Sequence, residues 1–267
     1  MPDRTDVVYR YDGTFEGFLC CVFESYARHE LPQEIRPEGS AQLSLYPERE
    51  IASDPARARR VFDSIPRKIS REAARMVTRG FLTCLEQKEL WLLRFLRLGY
   101  RYGRRVMAML ADETVGTLFR AVQALENESH HLLGFLRFSE YGGVLVAEIE
   151  PKNQVLPVIR AHFCGRYSGE RFLIYDRTHR MMLLHQPGAS RIVSVEGFQP
   201  PQAGTEEADY RALWRAYYRA AAVEGRENPR CRMSHMPKRF WNCMTEFSPA
   251  ERETPPPLPE GEPSRQK

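Results

Sequence analysis

The chain has 267 residues, 42% of them hydrophobic, with a formal net charge of +4 and six cysteines. That is long enough for one large domain or two small ones with a real core, and the charge excess is too small to imply nucleic acid by itself. Sparse cysteines without a Cys-x-x-Cys pair exclude a disulfide scaffold; the absence of a basic-then-apolar start or an apolar run of about 18 residues predicts a reducing, cytoplasmic setting.

The opening stretch "VVYRYDGTFEGFLCCVFESYARHEL" reads as a short strand, a turn at Asp12-Gly13 and a helix N-capped by Thr14. Phe15, Phe18, Leu19, Val22, Phe23 and Tyr26 have the spacing of a buried helix face. Residues 32–56 are rich in proline and polar side chains, with room for one short strand. Helices are predicted over 55–64, 70–87, 89–110 and 113–133.

The period then changes. "LGFLRFSEYGGVLVAEIEP" predicts two strands joined at Tyr141-Gly142-Gly143. "VLPVIRAHFCGRY" predicts a helix with Pro157 in its first turn, and "RFLIYDRTHRMMLLHQPGASRIVSVEGF" predicts three more short strands. A long helix starting at "TEEADYRALW" and a basic segment ending in "MPKRFWNCMTEF" close the folded part. The sum is one α+β domain over 1–247: helix-rich over 1–133, then an antiparallel sheet of about five strands within 134–247 and a closing C-terminal helix. Residues 248–267, dominated by proline, glutamate and serine, predict a disordered tail.

Residues 94–110, "RFLRLGYRYGRRVMAML", hold five arginines and no acid. On a continuous helix Arg94, Arg97, Arg101, Arg104 and Arg105 fall within an arc of about 100°, opposite Phe95, Leu96, Val106 and Met107. Gly99 and Gly103 each cost about 1 kcal/mol there, so the helix needs tertiary packing or a bend. Such a face is either a solvated one paired with acids elsewhere or a phosphate-tracking surface. Further on, Arg211, Arg215 and Arg219 recur at every fourth position beside Tyr210, Trp214, Tyr217 and Tyr218. "GRENPRCRMSHMPKRFW" adds Arg226, Arg230, Arg232, Lys238 and Arg239 next to Phe240-Trp241. Cations interleaved with aromatics suit unpaired or flipped bases, and Trp241 equally suits an anchor on the core.

Two constellations can carry chemistry. Glu126 and His130 stand four apart on a helix, the arrangement of a carboxylate-oriented general base or metal ligand, and equally of an ordinary surface pair. Glu148 and Glu150 alternate on a strand and share a face, which suits Mg²⁺ or acid–base work, or simply the wet side of a sheet. His162 follows as a further candidate or a core histidine. Cys231, His235 and Cys243 match no zinc pattern, and the sequence holds no P-loop, Rossmann fingerprint, nucleophile elbow or His-Glu-x-x-His, so no metal or cofactor is expected.

Four stretches carry a resemblance: "YDGTFEGFLCCVFESY", "ESHHLLGFLRFSE", "AEIEPKNQVLPVIRAHF" and "LWRAYYRAAAVEGRENPRCRMSHMPKRFWNCMTEF". Together they resemble a bacterial family of DNA-metabolism or DNA-repair proteins whose central domain has no assigned function. Members are encoded beside a radical-SAM protein, and in other lineages the domain is fused to a uracil-DNA-glycosylase-like domain. The resemblance covers about Val7 to Phe247, and the Met-Pro-Lys-Arg-aromatic-Trp pattern is its most specific part. It implies a role in DNA repair and a radical-SAM partner, and it supplies no established catalytic residues. Glu128, His130 and Arg137 take its acidic, histidine and arginine slots, while His131 stands where a basic residue is expected. Any base excision is then expected from a separate protein.

Three readings follow. The first is a DNA-repair accessory that holds DNA on arginine-rich helices and works with a radical-SAM or glycosylase-like partner. A hydrolase or nuclease built on Glu126, His130, Glu148 and Glu150 is the second, and it requires those residues to converge. The third is a protein-interaction module that does not bind DNA.

Overall fold

The computed structural model describes residues 4–39, 45–198, 204–220 and 229–247. β1 (Val8–Tyr11) is the middle strand of a three-stranded parallel sheet, flanked by β2 (Glu34–Pro37) and β3 (Glu48–Glu50). The sequence suggests two strands here rather than three, because "EIRP" and "ERE" are too short and polar to show an alternating pattern. α1 (Phe15–Arg28) starts where Thr14 Oγ1 accepts from Gly17 N at 2.9 Å. That cap satisfies one of the orphan N–H groups of the first turn.

α2 (Pro55–Lys68), α3 (Arg71–Phe81), α4 (Lys88–Tyr102) and α5 (Glu113–Phe135) follow. Asp54, Ser70 and Asp112 cap α2, α3 and α5 by accepting from backbone N–H groups of their first turns. The helix expected over 70–87 stops at Phe81, and the loop behind it is tied to the second half of the chain. Gln154 N donates to Leu82 O at 2.9 Å, and Cys84 N donates to Asn153 Oδ1 at 2.9 Å.

The single helix expected over 89–110 is also divided. Gly103 has φ +60°, which a right-handed helix cannot continue, and residues 103–108 form a 3-10 turn. Gly99 serves packing instead: a Cβ there would lie 2.5 Å from Ile69 Cδ1, so α4 crosses the α2–α3 junction at close range. Packing and a break thus each account for one of the two glycines.

The first core gathers Tyr9, Tyr11, Phe18, Ile65, Leu92, Leu93, Phe95, Leu96 and Leu118. Each fully buried side chain of this size contributes about 1.5–3 kcal/mol. Its two tyrosine hydroxyls are satisfied, Tyr9 donating to Glu30 Oε2 and Tyr11 to Glu89 Oε1, both at 2.7 Å.

The second core is built from Leu125 and Leu132 of α5, α6 (Leu156–Arg166) and a five-stranded sheet, with Phe240 closing it. The strands run in the order β4 (Ser139–Tyr141), β5 (Val144–Ile149), β6 (Phe172–Asp176), β7 (Met181–Gln186) and β8 (Ala189–Ser194). Gly142 and Gly143, both at positive φ, form the two-residue turn between β4 and β5. The α+β class and the five strands are as the sequence suggests, but the sheet is mixed, not antiparallel. α6 carries the chain from the end of β5 back to the start of β6, so those two strands pair in parallel, Leu145 opposite Phe172. Pro157 sits in the first turn of α6, where its missing N–H costs nothing.

α7 (Thr205–Ala220), α8 (Pro229–His235) and a 3-10 turn over 238–243 complete the described chain. Residues 221–228 of the expected closing helix, with Arg226, and the expected tail 248–267 lie outside the described residues. Among the described residues, no helix is long and apolar enough to cross a membrane.

Candidate nucleic-acid interface

The apolar face of α4 decides where its cations go. Leu92, Leu93, Phe95 and Leu96 are fully buried, so Arg94 and Arg101 are exposed and Arg97 is half-buried at the edge. Arg97 Nη1 donates to Ser25 Oγ at 3.2 Å, and its guanidinium lies 5.1 Å from the centre of the Tyr26 ring. Arg94 stands 5.5 Å from the Trp91 ring and Arg101 5.2 Å from that of Tyr102. Neither Arg94 nor Arg101 meets a carboxylate among the described residues.

Arg104 and Arg105 leave this face because the helix breaks before them. Both are exposed on the 3-10 turn, and Arg104 is 3.7 Å from Glu72, an ion pair too open to water to contribute much. The stripe expected on one helix is therefore three arginines on α4 and two beyond its end.

Those three line a cleft of about 630 Å³ with Tyr26, Leu31, Leu98, Tyr100, Asp112 and Thr114. A second cleft of about 450 Å³ adjoins it, lined by Val22, Phe23, Tyr26, Ala27, Arg60, Val61, Ser64, Lys68 and Tyr100. Tyr26 and Tyr100 belong to both and meet edge-to-face at 5.7 Å, forming the ridge between them. Among the described residues, Arg60, Lys68, Arg94, Arg97 and Arg101 line the two clefts with one carboxylate, Asp112, whose Oδ1 is engaged in capping α5. Arg57 and Arg60 approach the Phe23 ring at 5.3 and 6.0 Å, and Lys68 Nζ lies 5.8 Å from that of Tyr100. Each aromatic ring of the cleft thus carries a cation beside it. Tyr100 hydroxyl and Ser64 Oγ share a hydrogen bond of 2.6 Å, and burial raises the Tyr100 pKa.

Sequence reasoning missed Arg60, Lys68 and Tyr100, and placed Tyr26 on the buried face of α1, where it is 41% exposed. The signal was present in "PARARRVFDSIPRK": Arg57, Arg60, Ser64 and Lys68 recur at helical spacing on α2. Only the packing of α2 across α1 shows that they share a cleft with α4.

The C-terminal cations have other employment. Arg137 donates to Gly134 O at 2.8 Å and pairs with Glu246 at 3.0 Å, and Glu246, its side chain 2% exposed, also accepts from Trp214 Nε1 at 3.1 Å. Arg211 bonds Glu207, Ser139 Oγ and Tyr141 hydroxyl, tying α7 to β4. Arg239 approaches Glu128 at 3.4 Å and covers the Phe240 ring at 4.5 Å. Trp241 donates to Met236 O at 3.0 Å and stacks on Phe247 at 4.6 Å, with Arg232 and Lys238 near its ring. Arg230, Arg232 and Lys238 are exposed, Arg215 is half-buried, and the side chain of Arg219 lies outside the described ones.

Glu126 and His130 are both exposed on α5 and line neither cleft. Glu148 and Glu150 do come together, in a cavity of about 90 Å³ with Arg177, Arg239, Asn242 and Cys243. Burial raises the Glu148 carboxyl pKa and pushes the Cys243 thiol up to about 11, while Glu150 pairs with Arg177 at 3.0 Å. Neither Glu126 nor His130 lines that cavity, so the structure does not bring the four residues to one place. The carboxylate that α5 sends inward is Glu128, which accepts from Lys152 N, Asn153 N and Asn153 Nδ2 at 2.7–3.1 Å and fixes the loop after β5. His162 meets Phe163 edge-to-face at 5.2 Å. Beyond these, His179 Nδ1 lies 2.7 Å from the buried Asp176, a pair that closes the β6–β7 turn and that the sequence did not single out. Among the described residues, no three His, Cys, Asp or Glu side chains are placed to hold a metal ion.

Fold and site together define an α+β protein with a cationic, aromatic-ridged cleft on its helical half. Residues 86–246, well over half of the chain, match the family described as a domain of unknown function (DUF4130), and the chain belongs to that family. The match opens just before α4, so the cleft is lined from both sides of its boundary, α4 within it and α1 and α2 before it. No curated protein and no solved structure matches the chain.

Proposed function

We propose that this protein handles DNA, holding the sugar–phosphate backbone along α4 and acting in repair or base metabolism beside a radical-SAM or glycosylase-like partner. The observation that carries the reading is the cleft itself, lined among the described residues by five cations, three aromatic rings and one carboxylate engaged in a helix cap. Guanidinium groups suit phosphate oxygens, and cations beside exposed rings are the composition by which proteins track nucleic acid. The DNA-repair setting and the partner rest on the sequence resemblance. A hydrolytic reading is weaker, because Glu126 and His130 stand apart from Glu148 and Glu150.

The test is fluorescence-anisotropy titration of labelled DNA across a salt series, with the full chain and with Arg94, Arg97 and Arg101 changed to glutamine. Binding should be strongly salt-dependent, and the slope of log K against log salt should fall by about 2–3 in the variant. No binding at low salt would turn the cleft toward an acidic protein partner instead.

A further inference from the structure

We infer that the ligand of the cleft is a single strand with an unstacked base, seated against Phe23, Tyr26 and Tyr100, its backbone crossing onto Arg94, Arg97 and Arg101. The inference rests on the nucleic-acid reading above and sharpens it.

A duplex offers only phosphates to a groove of this kind, since its base faces are stacked and its base edges lie deep. Phosphates would satisfy the α4 arginines, but they give nothing to an apolar floor. The cleft between α1 and α2 has such a floor: Val22 and Val61 are buried, and Phe23, Ala27 and the Tyr100 ring complete the walls. Its volume of about 450 Å³ falls within the range of small-molecule sites, ample for one nucleobase.

The polar groups of the cleft are placed as a base requires. Arg60 and Lys68 stand at the rim as donors, and the Tyr100 hydroxyl oxygen is left as an acceptor for a base edge, because Ser64 Oγ gives its own proton to Val61 O and takes that of Tyr100. Tyr26 joins the two clefts. It lines both clefts, is 41% exposed and carries the Arg97 guanidinium 5.1 Å from its ring centre. A base stacked there has its phosphate directed to Arg97. From Arg94 to Arg101 the helix rises about 10 Å, a distance that a stretched strand covers in two nucleotides. Because the arginines continue past the seat, a strand fits better than a free nucleotide.

The experiment titrates the full chain with four ligands: a single-stranded oligodeoxynucleotide, a duplex of the same sequence, an abasic sugar–phosphate strand of equal length, and a competing deoxynucleoside monophosphate. The single strand should bind about tenfold or more tighter than the duplex and the abasic strand. Tyr26→Ala should erase that preference and leave the salt slope intact; a surface ring carries little of the fold, and circular dichroism would confirm it. Changing Arg94, Arg97 and Arg101 to glutamine should flatten the slope for every ligand. Equal binding of duplex, abasic and normal strands would overturn the base seat while the phosphate-binding reading stands. A monophosphate that displaces the strand at comparable concentration would overturn the assignment to a strand. Absence of binding to all four at low salt would overturn both readings together.

Discussion

Two arginine-rich regions of this protein look alike in sequence and behave differently in three dimensions. On α4, Arg94 and Arg101 project from a helix whose other face is fully buried, and they meet no carboxylate among the described residues. In the C-terminal region Arg137, Arg211 and Arg239 each reach a carboxylate, two of which, Glu246 and Glu128, have side chains only 2% exposed. The difference lies in the acids. Residues 94–110 contain none, whereas Glu207 and Glu246 bracket the later basic stretch and Glu128 waits for it on α5. A run of cations is thus free surface or internal glue according to what the rest of the chain supplies, and α4 is the region with cations left over for a ligand.

The comparison predicts a ranked series of stability effects. Glu128→Ala should be the most damaging, costing about 3 kcal/mol or more, because it strips a buried carboxylate from three N–H donors and from Arg239. Urea unfolding would measure it. Glu246→Ala should cost about 2 kcal/mol by the same method, since Arg137 and Trp214 lose their shared acceptor. Gly103→Ala should cost about 1–2 kcal/mol, because φ +60° is strained for any residue with a Cβ.

A smaller effect concerns pH. His131 packs against Phe135 and Phe240, and burial, reinforced by the Arg239 charge, lowers its pKa from 6.5. The fold therefore favours the neutral ring, and stability held above about pH 6.5 is lost as pH falls toward the lowered value. His131→Phe should narrow the gap between melting temperatures at about pH 7.5 and about pH 5. Least of all, changing Arg94 and Arg101 to glutamine should alter stability by no more than about 0.5 kcal/mol, since both are exposed and neither meets a carboxylate among the described residues. A large destabilisation of that variant would mean that α4 is glue as well, and the contrast between the regions would collapse.

Much of the fold was legible because local patterns and tertiary structure agree. Thr14 as a cap, the Gly142-Gly143 turn, Pro157 in a first turn and the strands β5 to β8 all follow from short-range chemistry. What escaped needed partners distant in sequence. The parallel pairing of β5 with β6 depends on where α6 lies, not on the strands themselves. The division of the helix at Gly103 was foreseen as one of two options, and only the approach of Ile69 to Gly99 separates them. The site was half legible. Arg94, Arg97 and Arg101 stood out as a run of cations with no acid among its neighbours in sequence, but Tyr26, Arg60 and Lys68 join them only through the packing of α1 and α2. Glu126 and Glu128 are two residues apart, and the rotation of α5 sends one to water and the other into the interior.

The long helix α5 belongs to both cores, giving Leu118 and Val122 to one and Leu125 and Leu132 to the other. Neither half can melt and leave that helix fully supported, so the two are expected to unfold as one thermodynamic unit. Heating should produce a single calorimetric peak whose van't Hoff and calorimetric enthalpies agree. In hydrogen exchange the amides between Leu118 and Leu132 should be among the last to open, whichever end is perturbed.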